Sequence, residues 1–216
     1  MAAAGTYPNP ARYEKTIRGY ETRDKKSPPP TGAVLCIGSS SMRGWHKTIR
    51  NDLAPLTVIP RGFGGSTWHD LVHFTPRVVL PYKPRAILVY EGDNDTAARV
   101  PVDKIVATAA EFVATVAKAL PDTRIYILAT KPSPSRWKLW PQVHEVNAKI
   151  KAMCAADKRL TYIDIATPML APSTAQPMRD IFKRDMLHMN AKGYAIWTQA
   201  ARPVLVEREQ EFEKPR

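Results

Sequence analysis

The chain has 216 residues, 44% of them hydrophobic, which suits one domain over residues 1–216 with a sizeable core. No apolar run is long enough to span a bilayer, so membrane insertion is not expected. The formal charge of +12 permits attraction to polyanions. Lys and Arg are nevertheless scattered, and no compact basic run with interleaved aromatics occurs, so nucleic acid is not an expected partner.

The N-terminus carries no basic region followed by an apolar segment. With no signal peptide visible, a cytoplasmic location is expected; the periplasm or secretion is the alternative where a leader has been removed. The two cysteines, Cys36 and Cys154, do not suggest a disulfide framework. Cys36 lies in an apolar run and is expected to pack as a small hydrophobe.

Residues 9–26 are polar, with Tyr13, Ile17 and Tyr20 spaced by four and three. That narrow stripe predicts a surface helix laid against the body. Ser27-Pro28-Pro29-Pro30 then forces an extended link. The run from Ala33 to Ile37 predicts a buried strand that stops at Gly38 and enters Ser39-Ser40-Ser41. Residues 42–51 predict a short helix and 56–60 a second strand. The glycine-rich loop Arg61-Gly62-Phe63-Gly64-Gly65-Ser66-Thr67 follows. Residues 68–79 predict a helix, and 85–90 a third strand ending at Glu91-Gly92-Asp93-Asn94-Asp95. The clearest helix covers 102–120 and is stopped by Pro121. A fourth strand is predicted at 124–129, a helix at 140–156 and a fifth strand at 160–165. Residues 166–184 read as irregular. Asn190 can cap a last helix through about Val206, and the charged tail 207–216 is expected to fray.

Five short strands separated by helices imply parallel βαβ units, hence an α/β protein, a three-layer α/β/α sandwich. Periodicity does not give the strand order. Ligands of such sheets sit beyond the carboxyl ends of the strands. Three polar clusters fall there: Ser39-Ser40-Ser41, Gly64-Gly65-Ser66 and Asn94. A fourth, Asp185-Met186-Leu187-His188, precedes the last helix and puts a carboxylate within reach of an imidazole. Acyl transfer needs this inventory. A serine hydroxyl needs a base to accept its proton. Histidine titrates near neutrality, and an aspartate fixes its tautomer. The oxyanion needs preplaced donors, which backbone N–H groups of a glycine turn and an Asn amide can supply.

These four blocks, in this order, resemble the SGNH hydrolases, or GDSL esterase/lipase family. The Gly-Asp-Ser turn of the family corresponds to Gly38-Ser39-Ser40, its second-block glycine to Gly65, its Gly-x-Asn-Asp block to Gly92-Asp93-Asn94-Asp95, and its Asp-x-x-His block to Asp185-Met186-Leu187-His188. The resemblance covers about residues 34–197. It implies a flavodoxin-like five-stranded parallel sheet and ester hydrolysis without metal or cofactor. It further implies Ser40 as nucleophile, His188 as base and Asp185 as its orienting acid. The implied oxyanion donors are Ser40 N–H, Gly65 N–H and Asn94. The sequence departs from the family pattern at Ser39, where an Asp is usual, which alters any hydrogen bond that residue gives to the turn. The implied substrates are short-acyl esters, O-acetyl groups on carbohydrates among them.

Each block also has a plainer use. Ser40 can serve as a helix cap, with Ser39 and Ser41 its rivals as nucleophile. Asn94 can cap a turn, Gly65 can serve backbone freedom alone, and Asp185 can pair with Lys183 or Arg184. A helix N-terminus near His188 disfavours imidazolium and keeps a resting base neutral. Trp45, Trp68, Trp137 and Trp140 are candidates for an acyl or sugar pocket, with packing as the alternative for each. Trp137 and Trp140, beside a Pro-rich loop, are the best placed. His69 and His73 are four apart on a helix and could ligate zinc, but no third ligand is evident. A silent acyl- or carbohydrate-binding module is the other alternative, and an intact set of four blocks argues against it. The glycine loop follows strand two and matches a dinucleotide fingerprint poorly. No Gly-x-Ser-x-Gly elbow occurs.

Overall fold

A computed structural model of the protein describes residues 5–213. Residues 1–4 and 214–216, the ends of the predicted lead-in and of the charged tail, lie outside the described residues. Strands β1 (Val34–Gly38), β2 (Val58–Gly62), β3 (Ala86–Tyr90), β4 (Arg124–Leu128) and β5 (Leu160–Ile163) form one sheet of order β2-β1-β3-β4-β5. Every pairing is parallel, with Val34 opposite Val58 on one side and Ala86 on the other. This is the flavodoxin-like order, whose topological switch lies between β1 and β3.

The strands are buried on both faces, and alternate residues feed two cores. Leu35, Ile37, Ile87 and Val89 join one core with helices α1 (Glu14–Lys26), α4 (Trp68–Val78), α6 (Val102–Ala119) and α7 (Trp140–Ala155). Val34, Cys36, Leu88 and Tyr90 join the other with α2 (Ser40–Trp45), α3 (Ile49–Asp52) and α8 (Ala191–Glu209). A short helix, α5 (Asp93–Ala97), follows β3. The predicted helix at 42–51 is thus two short helices. Trp45 Nε1 and Thr48 Oγ1 both donate to Asp52 Oδ2, at 2.7 and 2.6 Å, and hold the bend between them.

Helix α1 does more than cover the body. Ile17 is wholly buried, worth about 2 kcal/mol of hydrophobic burial. Tyr20 donates to Gly62 O at 2.6 Å and Tyr13 to Gly64 O at 3.0 Å. The helix therefore buttresses the loop after β2. Arg77 of α4 clamps it from the side, reaching both oxygens of Glu21 at 2.7 and 2.8 Å.

The charged tail does not fray over the residues described. Helix α8 continues to Glu209, which is fully buried. Its carboxylate accepts from Arg124 at 2.6 and 2.8 Å, Tyr126 at 2.6 Å and Arg85 at 3.2 Å. Glu213 then accepts from the Thr57 N–H at 2.7 Å and pairs with Arg85. Arg85 and Arg124 at the amino ends of β3 and β4, with Thr57 before β2 and Tyr126, thus supply the partners, and a count of charged residues along the chain does not reveal them.

Candidate active site

Three of the four predicted blocks start where β1, β2 and β3 end. The β1 and β3 ends meet closely. Gly38 has φ +140°, and a Cβ there would lie 2.1 Å from Tyr90 O, so only glycine lets the two strands converge. Ser39 N–H donates to Tyr90 O at 3.0 Å and opens α2. Ser40 is the first residue of that helix, so its N–H has no partner within the helix. Ser39 is 1% exposed and its Oγ has no hydrogen-bond partner among the described residues, whereas Ser40 is partly open. Ser41, also buried, lies inside the helix.

The fourth block folds over the carboxyl end of the sheet. Phe182 and Met189 pair as an antiparallel bridge, and Lys183 N–H donates to His188 O at 2.7 Å, closing the loop. The two oxygens of Asp185 divide their tasks. Oδ1 accepts the N–H groups of Leu187 and His188 at 3.0 and 2.9 Å, and Oδ2 lies 2.7 Å from His188 Nδ1. His188 and these N–H groups hold the Asp185 carboxyl well below the usual carboxylate range. An ionised Asp185 accepts the Nδ1 proton, which leaves Nε2 as the free lone pair. Nε2 lies 3.0 Å from Ser40 Oγ. Ser40, His188 and Asp185 thus form one hydrogen-bonded line.

Gly65 has φ +85° and donates no backbone hydrogen bond among the described residues. Asn94, at the start of α5, donates from Nδ2 to Ser66 O at 2.9 Å. Its Oδ1 accepts from both terminal nitrogens of Arg136 at 3.2 Å. The amide is therefore fixed in one orientation with its second N–H spare. Arg136 also donates to the Asp93 carboxylate at 2.6 Å, and the buried Lys131 reaches the other oxygen at 3.0 Å. Burial pulls Asp93 toward the neutral acid, but Lys131 and Arg136 outweigh it and its carboxyl sits below the ordinary value. Neither cation was a sequence candidate. Both lie beyond β4, and nothing in the sequence there marks a partner.

The tryptophans separate. Trp68 is 1% exposed and packs on Phe112 at 5.7 Å between ring centroids, so it is a core residue and not part of a substrate surface. Trp45 is likewise buried. Trp137 and Trp140 are partly exposed and stacked at 5.6 Å. Trp137 shares the 3-10 turn Pro134–Leu139 with Arg136, and Ser135 N–H in that turn donates to Met186 O at 3.1 Å in the His188 loop. His69 stacks on Tyr7 and His73 packs edge-on against Phe74. Among the described residues no group of three or more His, Cys, Asp or Glu could hold a metal ion.

Three buried acids lie behind the loop. Glu91 Oε1 accepts from Ser66 Oγ at 2.5 Å, Asp95 Oδ1 from Trp68 N–H at 3.1 Å, and Asp70 closes a capping box with Thr67. Each keeps one buried oxygen without a partner among the described residues. Burial, reinforced by Asp95, drives the Glu91 carboxyl far up, and burial pushes Asp95 up to about 7. The folded chain thus holds the Asp95 proton to higher pH than the unfolded chain, whose Asp titrates near roughly 3.9. Its stabilising effect is complete below that value and lost as pH rises through about 7. Asp95→Asn keeps the acceptor for Trp68 and removes the titration. Urea unfolding at several pH values should show the wild type losing roughly 2–4 kcal/mol more than this variant across the interval. Parallel stability curves contradict the assignment.

A family model for the GDSL-like lipase/acylhydrolase family matches residues 31–196. No curated protein matches the chain. Among solved structures, a GDSL-like lipase from Bacteroides thetaiotaomicron VPI-5482 is similar at 20% identity and TM-score 0.76, over 88% of this chain and 97% of that one. A member of the lipolytic protein G-D-S-L family from Veillonella parvula DSM 2008 is similar at 19% identity and TM-score 0.68, over 80% and 97%. A variant of an acetyl-xylooligosaccharide esterase from Geobacillus Stearmophilus is similar at 16% identity and TM-score 0.62, over 87% and 99%. At these identities the structural likeness speaks for the fold, and the matched residues, most of the chain, speak for the family. The chain belongs to the GDSL-like lipase/acylhydrolase family.

Proposed function

We propose that the protein is a serine esterase that hydrolyses short-acyl carboxylic esters, O-acetyl groups on carbohydrates among them, through an acyl-enzyme. The observation that carries this reading is the line from Ser40 Oγ to His188 Nε2 at 3.0 Å and from His188 Nδ1 to Asp185 at 2.7 Å. Ser40 Oγ attacks the ester carbonyl carbon as His188 Nε2 takes its proton. Asp185 stabilises the imidazolium that forms. The carbonyl oxygen, now an oxyanion, is held by Ser40 N–H, Gly65 N–H and the spare N–H of Asn94. Collapse breaks the bond to the alcohol oxygen, which leaves with the proton from His188. Water then attacks the acyl-enzyme, giving its proton to His188, and the second collapse releases the carboxylic acid and restores Ser40. The stacked pair Trp137 and Trp140 offers an aromatic face to a sugar ring or an aryl alcohol. The acetyl-xylooligosaccharide esterase among the structural neighbours supports the acetyl end of this range.

Ser40→Ala and His188→Ala should each lower kcat/KM on p-nitrophenyl acetate by roughly ten-thousandfold, with a chelator leaving the wild-type rate unchanged. A Ser40→Ala variant of full activity overturns the nucleophile, and a rate abolished by the chelator moves the chemistry to a metal.

Arg136 acts through Asn94, as a positioning residue. Arg136→Ala should lower kcat about tenfold with little change in KM, since it frees the Asn94 amide without deleting it. Arg136→Lys should restore part of the rate. The double variant with Asn94→Ala should be no slower than Asn94→Ala alone. Additive losses contradict this coupling.

A further inference from the structure

Beside Ser40 lies a cavity of about 500 Å3 that the chemistry above leaves unused. Its walls come from α1, α2, α3 and β2. Lys15 and Arg23 project from α1, Arg43 from α2 and Arg50 from α3, and no Asp or Glu lines it. None of these four cations has a carboxylate partner among the described residues. Unpaired cations such as Lys25, Lys47 and Lys83 occur elsewhere on the surface; these four differ in converging on one concave space with no acid on its wall. Arg61, at the same cavity, is held by Asp24 at 2.5 Å and stacks between Tyr20 and Tyr82. Arg77, Arg85, Arg124 and Arg136 all have acids. Exposed cations alone read as solvated surface, but four that converge on one concave space, with no acid on its wall, focus a positive field there and suit a ligand of opposite sign.

His46 reports the same field from within. Its Nε2 accepts the Gly62 N–H at 2.8 Å, which places the ring proton on Nδ1. Burial, then Arg61, Arg43, Arg50 and Arg23, lower its pKa to about 4. A neutral imidazole is thus kept as a hydrogen-bond donor among four arginines.

The cavity reaches the nucleophile across one glycine. A Cβ on Gly64 would lie 3.5 Å from Arg43 Nη1 and 3.6 Å from Ser40 Cβ, so the guanidinium and the serine rest against the same residue. Helix α1, which supplies two of the cations, precedes the residues 31–196 that match the family.

We infer that this cavity is an anion subsite, which takes a phosphate- or sulfate-type dianion and holds it beside Ser40, so that preferred substrates are esters carrying such a group. The arginine forks match the oxygens of a tetrahedral dianion, and several such contacts at one concave site select charge as well as shape. The substrate half of the inference rests on the serine-esterase reading; the binding half does not.

Calorimetry with pyrophosphate at low ionic strength separates the two. Wild type and Ser40→Ala should bind it one to one with equal affinity. Arg43→Gln/Arg50→Gln should weaken it by about tenfold or more, while Lys158→Gln, at the opposite end of the sheet, should not. Unaltered melting temperatures establish that the variants are folded. The ratio of kcat/KM for 4-acetoxyphenyl phosphate to that for phenyl acetate should exceed about ten in the wild type and fall toward one in the double variant. No pyrophosphate binding, equal binding by the double variant, or binding of a short DNA duplex without pyrophosphate overturns the subsite, even where both esters are hydrolysed. Binding to Ser40→Ala with neither ester hydrolysed upholds the subsite and defeats the esterase reading instead.

Discussion

Everything at this site depends on how closely β1 and β3 approach at their carboxyl ends. The space above Gly38 is filled by Tyr90 backbone, with 2.1 Å left for any Cβ. That contact brings the segment carrying Ser40 and the segment carrying Asn94 off adjacent strands in one direction. A parallel sheet of order β2-β1-β3 then leaves a crevice between them, because the crossovers depart to opposite faces. Helix α2 goes to one core and α4 and α6 to the other. Gly65, in the loop after the neighbouring β2, closes the third side. The loop of Asp185 and His188 is delivered from beyond the sheet and tied to the turn of Arg136 by one backbone hydrogen bond.

The same crevice sets an electrostatic division. On the His188 side, Asp185 is half exposed and kept ionised by the groups that donate to it. Behind the Gly65 loop, Glu91 and Asp95 are buried, and burial drives the Glu91 carboxyl far up and pushes Asp95 up to about 7. A protonated Glu91 accepts from Ser66 Oγ without adding negative charge behind the Gly65 loop. Asp93 is the exception. It is buried yet ionised, because Lys131 and Arg136 flank it, and Arg136 in turn fixes the Asn94 amide. A flanked negative charge thus sits on the far side of Asn94, while burial opposes ionisation of Glu91 and Asp95 behind the Gly65 loop. The α1 wall adds a positive region on the remaining flank, against Gly64.

Much of this was legible in the sequence, and the reasons are local. Apolar runs ending in small polar residues mark strand ends, so the five strands, the rim and the four blocks follow from short windows. The helical stripe Trp68, Leu71, Thr75 and Val78 carries a signal that Trp68 belongs to the core, and that signal outweighs the general liking of aromatics for ligands. Other features have no local signature. Glu209 in a charged tail becomes the best-partnered acid only because Arg85 and Arg124, at the amino ends of β3 and β4, and Tyr126 within β4 reach it. Arg136 lies in an irregular loop, and its bond to Asn94 spans 42 residues of chain. The cationic cavity joins α1 to the segment after β1, two stretches separated by a Pro-rich link, and each basic residue alone reads as solvated surface.

The central claim is that Ser40 becomes covalently acylated. The most direct measurement is treatment with a fluorophosphonate ester followed by intact-mass and peptide mass spectrometry. The expected result is one phosphonyl group per chain, on Ser40, absent from Ser40→Ala and formed far more slowly in His188→Ala. A label on Ser39 or Ser41, or an ester-hydrolysing protein that takes no label, contradicts it.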